Sequence, residues 1–400
     1  MADYDLITVG GGLVGAALGR ALAQAGKRVL IVEGEQEFRD RVRGEQMATW
    51  GVADAQSLGI VEILRSSCAH EPAWWDAYIG PMQIQHREIA TTTPQQLNNL
   101  TFYHPRMQET LLAAAAEAGA EVLRGARVRN VEPGETPTVT IANGTEERVT
   151  ARFVAGCDGR NSSVRNWGGF ASEQDPDRCQ IAGLLLEDVP ADDNVMTFAV
   201  DPGAGTGAVF FPQGGGRARS YMVTRVAGGD RFSGEKDVPR YLDLLRAKLP
   251  DGASMLEGAC AAGPLATFNG ADNFVRSPYR NGLALVGDAA AMSDPAWGQG
   301  LALGVRDARV LRDELLAGDD WDVAGRAYAA KHDEHYGAIR ACEDWFTEFF
   351  YGAGPEADAR RARAFPLIAQ EGERVPDMFQ SGPESAPATD ETRRRFFGED

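Results

Sequence analysis

Lysine is scarce in this chain: only Lys27, Lys236, Lys248 and Lys331 occur among 400 residues. The 40 basic residues are outnumbered by 58 acidic ones, for a net charge of −18. A nucleic-acid partner needs a basic face to neutralise phosphates, so none is expected. No apolar run reaches the roughly 18 residues of a membrane-spanning helix, so no span is expected either. Cysteine is sparse too. Cys68, Cys157, Cys179, Cys260 and Cys342 are scattered, odd in number and never spaced C-x-x-C, which predicts reduced thiols in a cytoplasm rather than a disulfide framework. The first strand pattern starts at Asp5, leaving no room for a signal peptide. What remains is an ordinary globular composition, 44% hydrophobic and 24% charged, long enough for two intimately packed domains.

Glycine, by contrast, is abundant and placed with purpose. Residues 5–9 form a short apolar run suited to a buried parallel strand. Gly10, Gly12 and Gly15 then give G-x-G-x-x-G. The first permits the tight turn, the second lets backbone approach a pyrophosphate, and the third lets helix pack on strand. Leu13 and Val14 open a small-residue helix whose N-terminus offers free N–H groups to a phosphate. Glu33 closes the next strand, where a carboxylate can accept hydrogen bonds from both ribose hydroxyls and repel a 2′-phosphate. The whole unit predicts an adenine dinucleotide site.

Further on, Trp50 to Leu64 reads as one helix and residues 71–103 as aromatic-rich strands and loops over a cavity. A helix follows Pro105-Arg106, then short strands with a hairpin at Asn143-Gly144. Residues 180–226 alternate again as strands. The glycines of 201–207 precede a strand rather than a helix, so they predict a hairpin turn and not a second nucleotide loop. Residues 236–250 make an amphipathic helix, and 282–317 a strand, a loop and a long helix. From about Pro376 the composition predicts a loosely held tail.

Two more motifs follow strands: Gly156-Cys157-Asp158-Gly159-Arg160, and Gly287-Asp288-Ala289-Ala290 leading into Pro295-Ala296-Trp297-Gly298-Gln299-Gly300-Leu301. In this order the three motifs resemble those of the single-component FAD-dependent monooxygenases, the p-hydroxybenzoate hydroxylase-like aromatic hydroxylases with squalene epoxidase as a relative. The resemblance spans roughly residues 4–345. It implies an α/β fold, with a Rossmann-type FAD-binding domain (1–70, 104–175 and 276–330) interleaved with an antiparallel-sheet substrate domain (71–103 and 176–275). Helices at 331–375 and the flexible tail 376–400 complete it. It also implies non-covalent FAD, with Asp288 on the ribityl hydroxyls, and Pro295, Gly298, Gly300 and Leu301 beneath the ring. Arg43, Arg106 and Asp158 match cofactor-side positions, with NAD(P)H a transient electron donor. The resemblance further implies that O₂ would add at the flavin C4a and that the hydroperoxide would deliver one oxygen atom to an apolar, aromatic or polyketide-like molecule, by hydroxylation or epoxidation.

The departures matter as much. Aromatic hydroxylases often carry a histidine where Ala291 stands and a proline where Asp294 stands, so a hydroxylase's proton relay does not transfer. No general base is evident; His70, His86 and His104 read more readily as surface or structural. His332 and His335 lie three apart on a charged helix without further ligands, so no metal is expected. Trp74, Trp75, Tyr103, Phe210, Phe211, Met222 and Trp297 are candidates for a substrate pocket, Trp297 foremost, with Pro295 beside it as the other catalytic candidate. A halogenase would need W-x-W-x-I-P and an active-site lysine, and neither is present. Two other readings are a prenyl-lipid reductase, echoed by Val-Phe-Phe-Pro at 209–212, and a non-catalytic binder on the same fold. A monomer or a dimer fits the composition.

Overall fold

Strand Tyr4–Val9 lies at the centre of the first sheet because its residues are apolar on both faces. It pairs in parallel with Val29–Glu33 on one side and with the second half of Thr145–Gly156 on the other. Glu121–Arg124 and Leu283–Leu285 extend the parallel sheet outward. The computed structural model describes residues 2–400. Helices Leu13–Gln24, His104–Glu117 and Gly300–Ala317 cover one face, burying Leu18, Leu22, Leu111 and Leu311 in a common core. The first half of Thr145–Gly156 leaves this sheet to pair antiparallel with Thr138–Asn143, through the expected Asn143-Gly144 turn with Gly144 at φ +79°.

A second, mostly antiparallel sheet runs in the order Cys260–Ala261, Cys179–Glu187, Arg217–Arg225, Thr206–Gly214, Val195–Asp201, Trp74–Ile79, Met82–Glu88. The 201–207 glycines form the predicted hairpin, joining Val195–Asp201 to Thr206–Gly214. Helix Val238–Lys248 packs on the outer face of this sheet, its Tyr241 and Leu245 sharing a core with Phe210 and Met222. The inner face carries Val209, Phe211 and Tyr221, which pack with the C-terminal aromatics. Side chains alternate along a strand, so Phe210 and Phe211 serve different cores.

Three expectations need correction. The helix read over 50–64 is two, Thr49–Ser57 and Val61–Ser67, broken at Gly59, whose φ of +69° no helix accommodates. Helix Trp321–Phe346 crosses the boundary drawn at 330 without interruption. The tail is not loose: Asp390–Phe397 is a helix capped by Thr389, and Phe396 and Phe397 are fully buried against Phe349. Composition misleads there because two phenylalanines, not the charged majority, decide docking.

Candidate active site

The turn after the first strand is shaped by contacts that only glycine permits. A Cβ on Gly15 would stand 1.9 Å from the Gly10 carbonyl oxygen, and one on Gly10 would meet the Cys157 carbonyl at 2.4 Å. The first and second motifs are therefore packed backbone on backbone. Gly12, Leu13 and Val14 face a cavity of about 1060 Å³, and Gly12 caps the following helix with no side-chain partner on its N–H groups. Glu33 is buried at the end of its strand, where its Oε2 accepts the Gly11 N–H at 2.8 Å and its Oε1 the Glu35 N–H at 2.8 Å. Each oxygen keeps a free lone pair.

Across the cavity, Asp288 follows strand Leu283–Leu285 in a single helical turn. Its carboxylate accepts no hydrogen bond among the described residues; the nearest cation is Arg43, at 4.0 Å. Burial pushes the Asp288 carboxyl above its ordinary value, opposed by Arg43, Arg160 and Arg165. The turn itself is held from two sides. Arg165 donates to the Ala289 carbonyl at 3.0 Å and to the Asp288 carbonyl at 3.2 Å. Asp307, on the long helix, accepts the Gly287 N–H at 2.9 Å. Pro295, Trp297, Gly298, Gly300 and Leu301 continue the cavity wall, ending at the uncapped N-terminus of Gly300–Ala317.

Several predicted residues do other work. Asp158 turns away from the cavity and caps the short helix Ser163–Trp167, accepting the Ser163 and Val164 N–H groups. Its motif reaches the third motif through Arg165, which sequence reading did not single out. Arg106 is exposed beside Cys68 and does not line the cavity, whereas Gln108 of the same helix does. Trp74 stacks on His86, Tyr103 lies under Arg217, and Met222 faces the outer core; none of the three lines the cavity. Phe211 and Trp297 do, joined by Trp75, Phe198, Tyr221 and Phe350. His332 and His335 meet Asp307, each ring with a nitrogen 2.9 Å from Oδ1, as a buried hydrogen-bonded group behind the Gly287 turn.

Arg43 and Gly44 are presented by a buried brace. Arg219 donates to Glu45 at 2.8 and 3.0 Å and to Asp40 at 2.7 Å, and Tyr221 donates to the Arg43 carbonyl at 2.5 Å. Among the described residues, the substrate-side wall offers few polar handles. The Trp297 Nε1–H is taken by Thr347 at 2.8 Å, and Arg87 is locked to Asp377 by two bonds of 2.7 Å.

The FAD binding domain family matches residues 3–333. The chain belongs to the FAD-dependent monooxygenase superfamily. It is 30% identical over 332 residues to the rifampicin monooxygenase of Streptomyces venezuelae, covering 80% of this chain and 66% of that protein's length. Digeranylgeranylglycerophospholipid reductase 1 of Methanococcoides burtonii is 26% identical, over 79% of this chain and 74% of that one. An HpxO variant from Klebsiella pneumoniae in complex with FAD superposes with a TM-score of 0.77 at 19% identity, covering 96% of this chain and 100% of its own. The p-hydroxybenzoate hydroxylase-like fold and FAD as cofactor follow, and the enzyme is an oxidoreductase. The residues fit the cofactor on their own geometry. Two free helix N-termini converge on the cavity, and a carboxylate without a donor faces into it.

Proposed function

We propose that this flavoenzyme uses NAD(P)H and O₂ to insert one oxygen atom into an uncharged aromatic or polyketide-like molecule. The observation that carries the substrate class is the aromatic stretch of the cavity wall. It is built of Trp75, Phe198, Phe211, Trp297 and Phe350, and Arg87 beside it is already neutralised by Asp377, while the cavity's other arginines, Arg43 and Arg160, stand near Asp288. A carboxylate-bearing substrate would find no counter-charge there and would lose its hydration. FAD supplies electron transfer and oxygen activation. The protein's part is placement and dryness. Gly12 and the two helix N-termini would take the pyrophosphate and the ring's electron-rich edge, and Asp288 would accept the ribityl hydroxyls. Arg43, held by the buried Arg219–Glu45 brace, would meet the cofactor's negative charge. The aromatic wall orients a flat substrate and excludes water from the reacting face.

The test is substrate-stimulated NAD(P)H oxidation across matched neutral and anionic aromatics, with isotopically labelled O₂. Neutral polycyclic compounds should stimulate turnover and gain one labelled atom, while their carboxylated counterparts should do neither. Equal stimulation by the acids would overturn the substrate class. Turnover without O₂ would overturn oxygen insertion.

A further inference from the structure

Behind the cavity wall formed by Ser293, Pro295 and Trp297 lies a group of carboxyls with no role in the preceding reading. Asp272, Asp294 and Glu343 are 4%, 3% and 1% exposed. They come from three separate segments: the loop after strand Ala266–Gly270, the wall itself, and helix Trp321–Phe346. Asp294 accepts the Ala296 N–H at 2.9 Å and so caps the turn Pro295–Trp297. Asp272 accepts the Tyr336 hydroxyl at 2.8 Å. Both oxygens of Glu343, and the Ser293 hydroxyl on the wall, find no hydrogen-bond partner among the described residues.

Among the described residues, no cation enters the group. Arg340, nearest to Asp272, is committed to Asp175 at 2.6 Å, and Arg178 to Asp344 at 2.5 Å, both at the rim. Asp177, Cys179, Cys342 and Tyr351 are the other titratable neighbours, and none supplies positive charge. Two ionised carboxylates in such a site would repel each other without compensation. A proton held on Glu343 beside Asp272 removes one of the two charges. Burial raises all three carboxyls, Asp294 to about 7.

We propose that Asp272, Glu343 and Asp294 form a proton-holding unit that positions the Ser293–Gly298 wall, so that its deprotonation loosens the wall and weakens FAD binding. These are positioning residues, since Asp294 acts through the backbone of the turn it caps. The inference rests on the same site as the proposed function, yet it can fail separately.

Two measurements test it on the full chain. Infrared spectra of the apoprotein near neutral pH should contain the carbonyl stretch of a buried protonated carboxylic acid, and Glu343→Gln should weaken it. Titration of apoprotein with FAD by fluorescence should give a Kd that rises with pH above about 7, by up to about tenfold per pH unit. Glu343→Gln, isosteric and unable to ionise, should flatten that rise, and Asp294→Asn should do the same if the first variant folds poorly. Absence of the infrared band, or wild-type and variant Kd curves that run parallel, would overturn the proposal. Failure to bind FAD at any pH would instead overturn the cofactor reading.

Discussion

Glu45 and Arg219 are 174 positions apart, and both are fully buried. Their pair braces Arg43 at the cavity, with Gln213 donating to the same carboxylate at 2.5 Å. In the sequence, Glu45 stands in a charged stretch beside Arg43 and Gly44, and Arg219 is one polar position in an alternating strand. Nothing local distinguishes a buried arginine from an exposed one; its partner is supplied by the fold. The glycine motif lies at the opposite extreme, because its strand, turn, helix and acid are contiguous and each constrains the next. Breaking the pair from one side should cost more than the pair contributes, since a charge is left buried alone. Arg219→Met should destabilise the protein by about 3–5 kcal/mol. A denaturant midpoint that falls with unchanged m would read this directly. Adding Glu45→Gln should restore part of the loss. If the double variant is no better than Arg219→Met, uncompensated charge is not the cause.

Strands reveal which residues share a face, and not always which face meets the site. Where one face is wet, polar residues mark it. The sheet around Phe210, Phe211 and Met222 is covered on both sides, by helix Val238–Lys248 and by the C-terminal aromatics, so its sequence carries no such mark. That is why Phe211 reached the cavity and Met222 did not. The C-terminal elements were misread for a related reason: Asp390–Phe397 is charged at most positions and docks through two. Phe396 stacks on Phe346 at 5.0 Å between ring centres, and Phe346 in turn packs edge-on to Trp297 in the cavity wall. Phe396→Ala should therefore cost about 3–5 kcal/mol, the usual loss for a buried phenylalanine. It should also speed proteolytic cleavage within 371–400 relative to the rest of the chain. Wild-type stability in that variant would mean that the segment is only laid on the surface.

Over the whole molecule, pH acts through several groups at once, and their signs differ. Asp307 is held well below the ordinary carboxyl range: burial raises it, and His332 and His335 together pull it further down. Its stabilisation is present at neutral pH and is lost only in strong acid. His332 is raised by Asp307 despite the burial that opposes it, so its contribution fades as pH climbs through its folded value. Asp294 works in the same direction as His332. Its folded pKa of about 7 lies above the roughly 3.9 of an unfolded aspartate, so the folded chain holds a proton that the unfolded chain lacks. Stability must then fall as pH rises from about 4 to about 7, and level off beyond. The net charge of −18 adds repulsion that also grows over this range. A single melting curve cannot separate these terms, but a difference can, because Asp294→Asn leaves His332 and the surface charge in place. The apoprotein should melt at progressively lower temperature between about pH 5 and pH 7.5, and Asp294→Asn should show a shallower decline. Curves of equal slope would mean that Asp294 is ionised throughout and that its burial is offset by a donor from solvent.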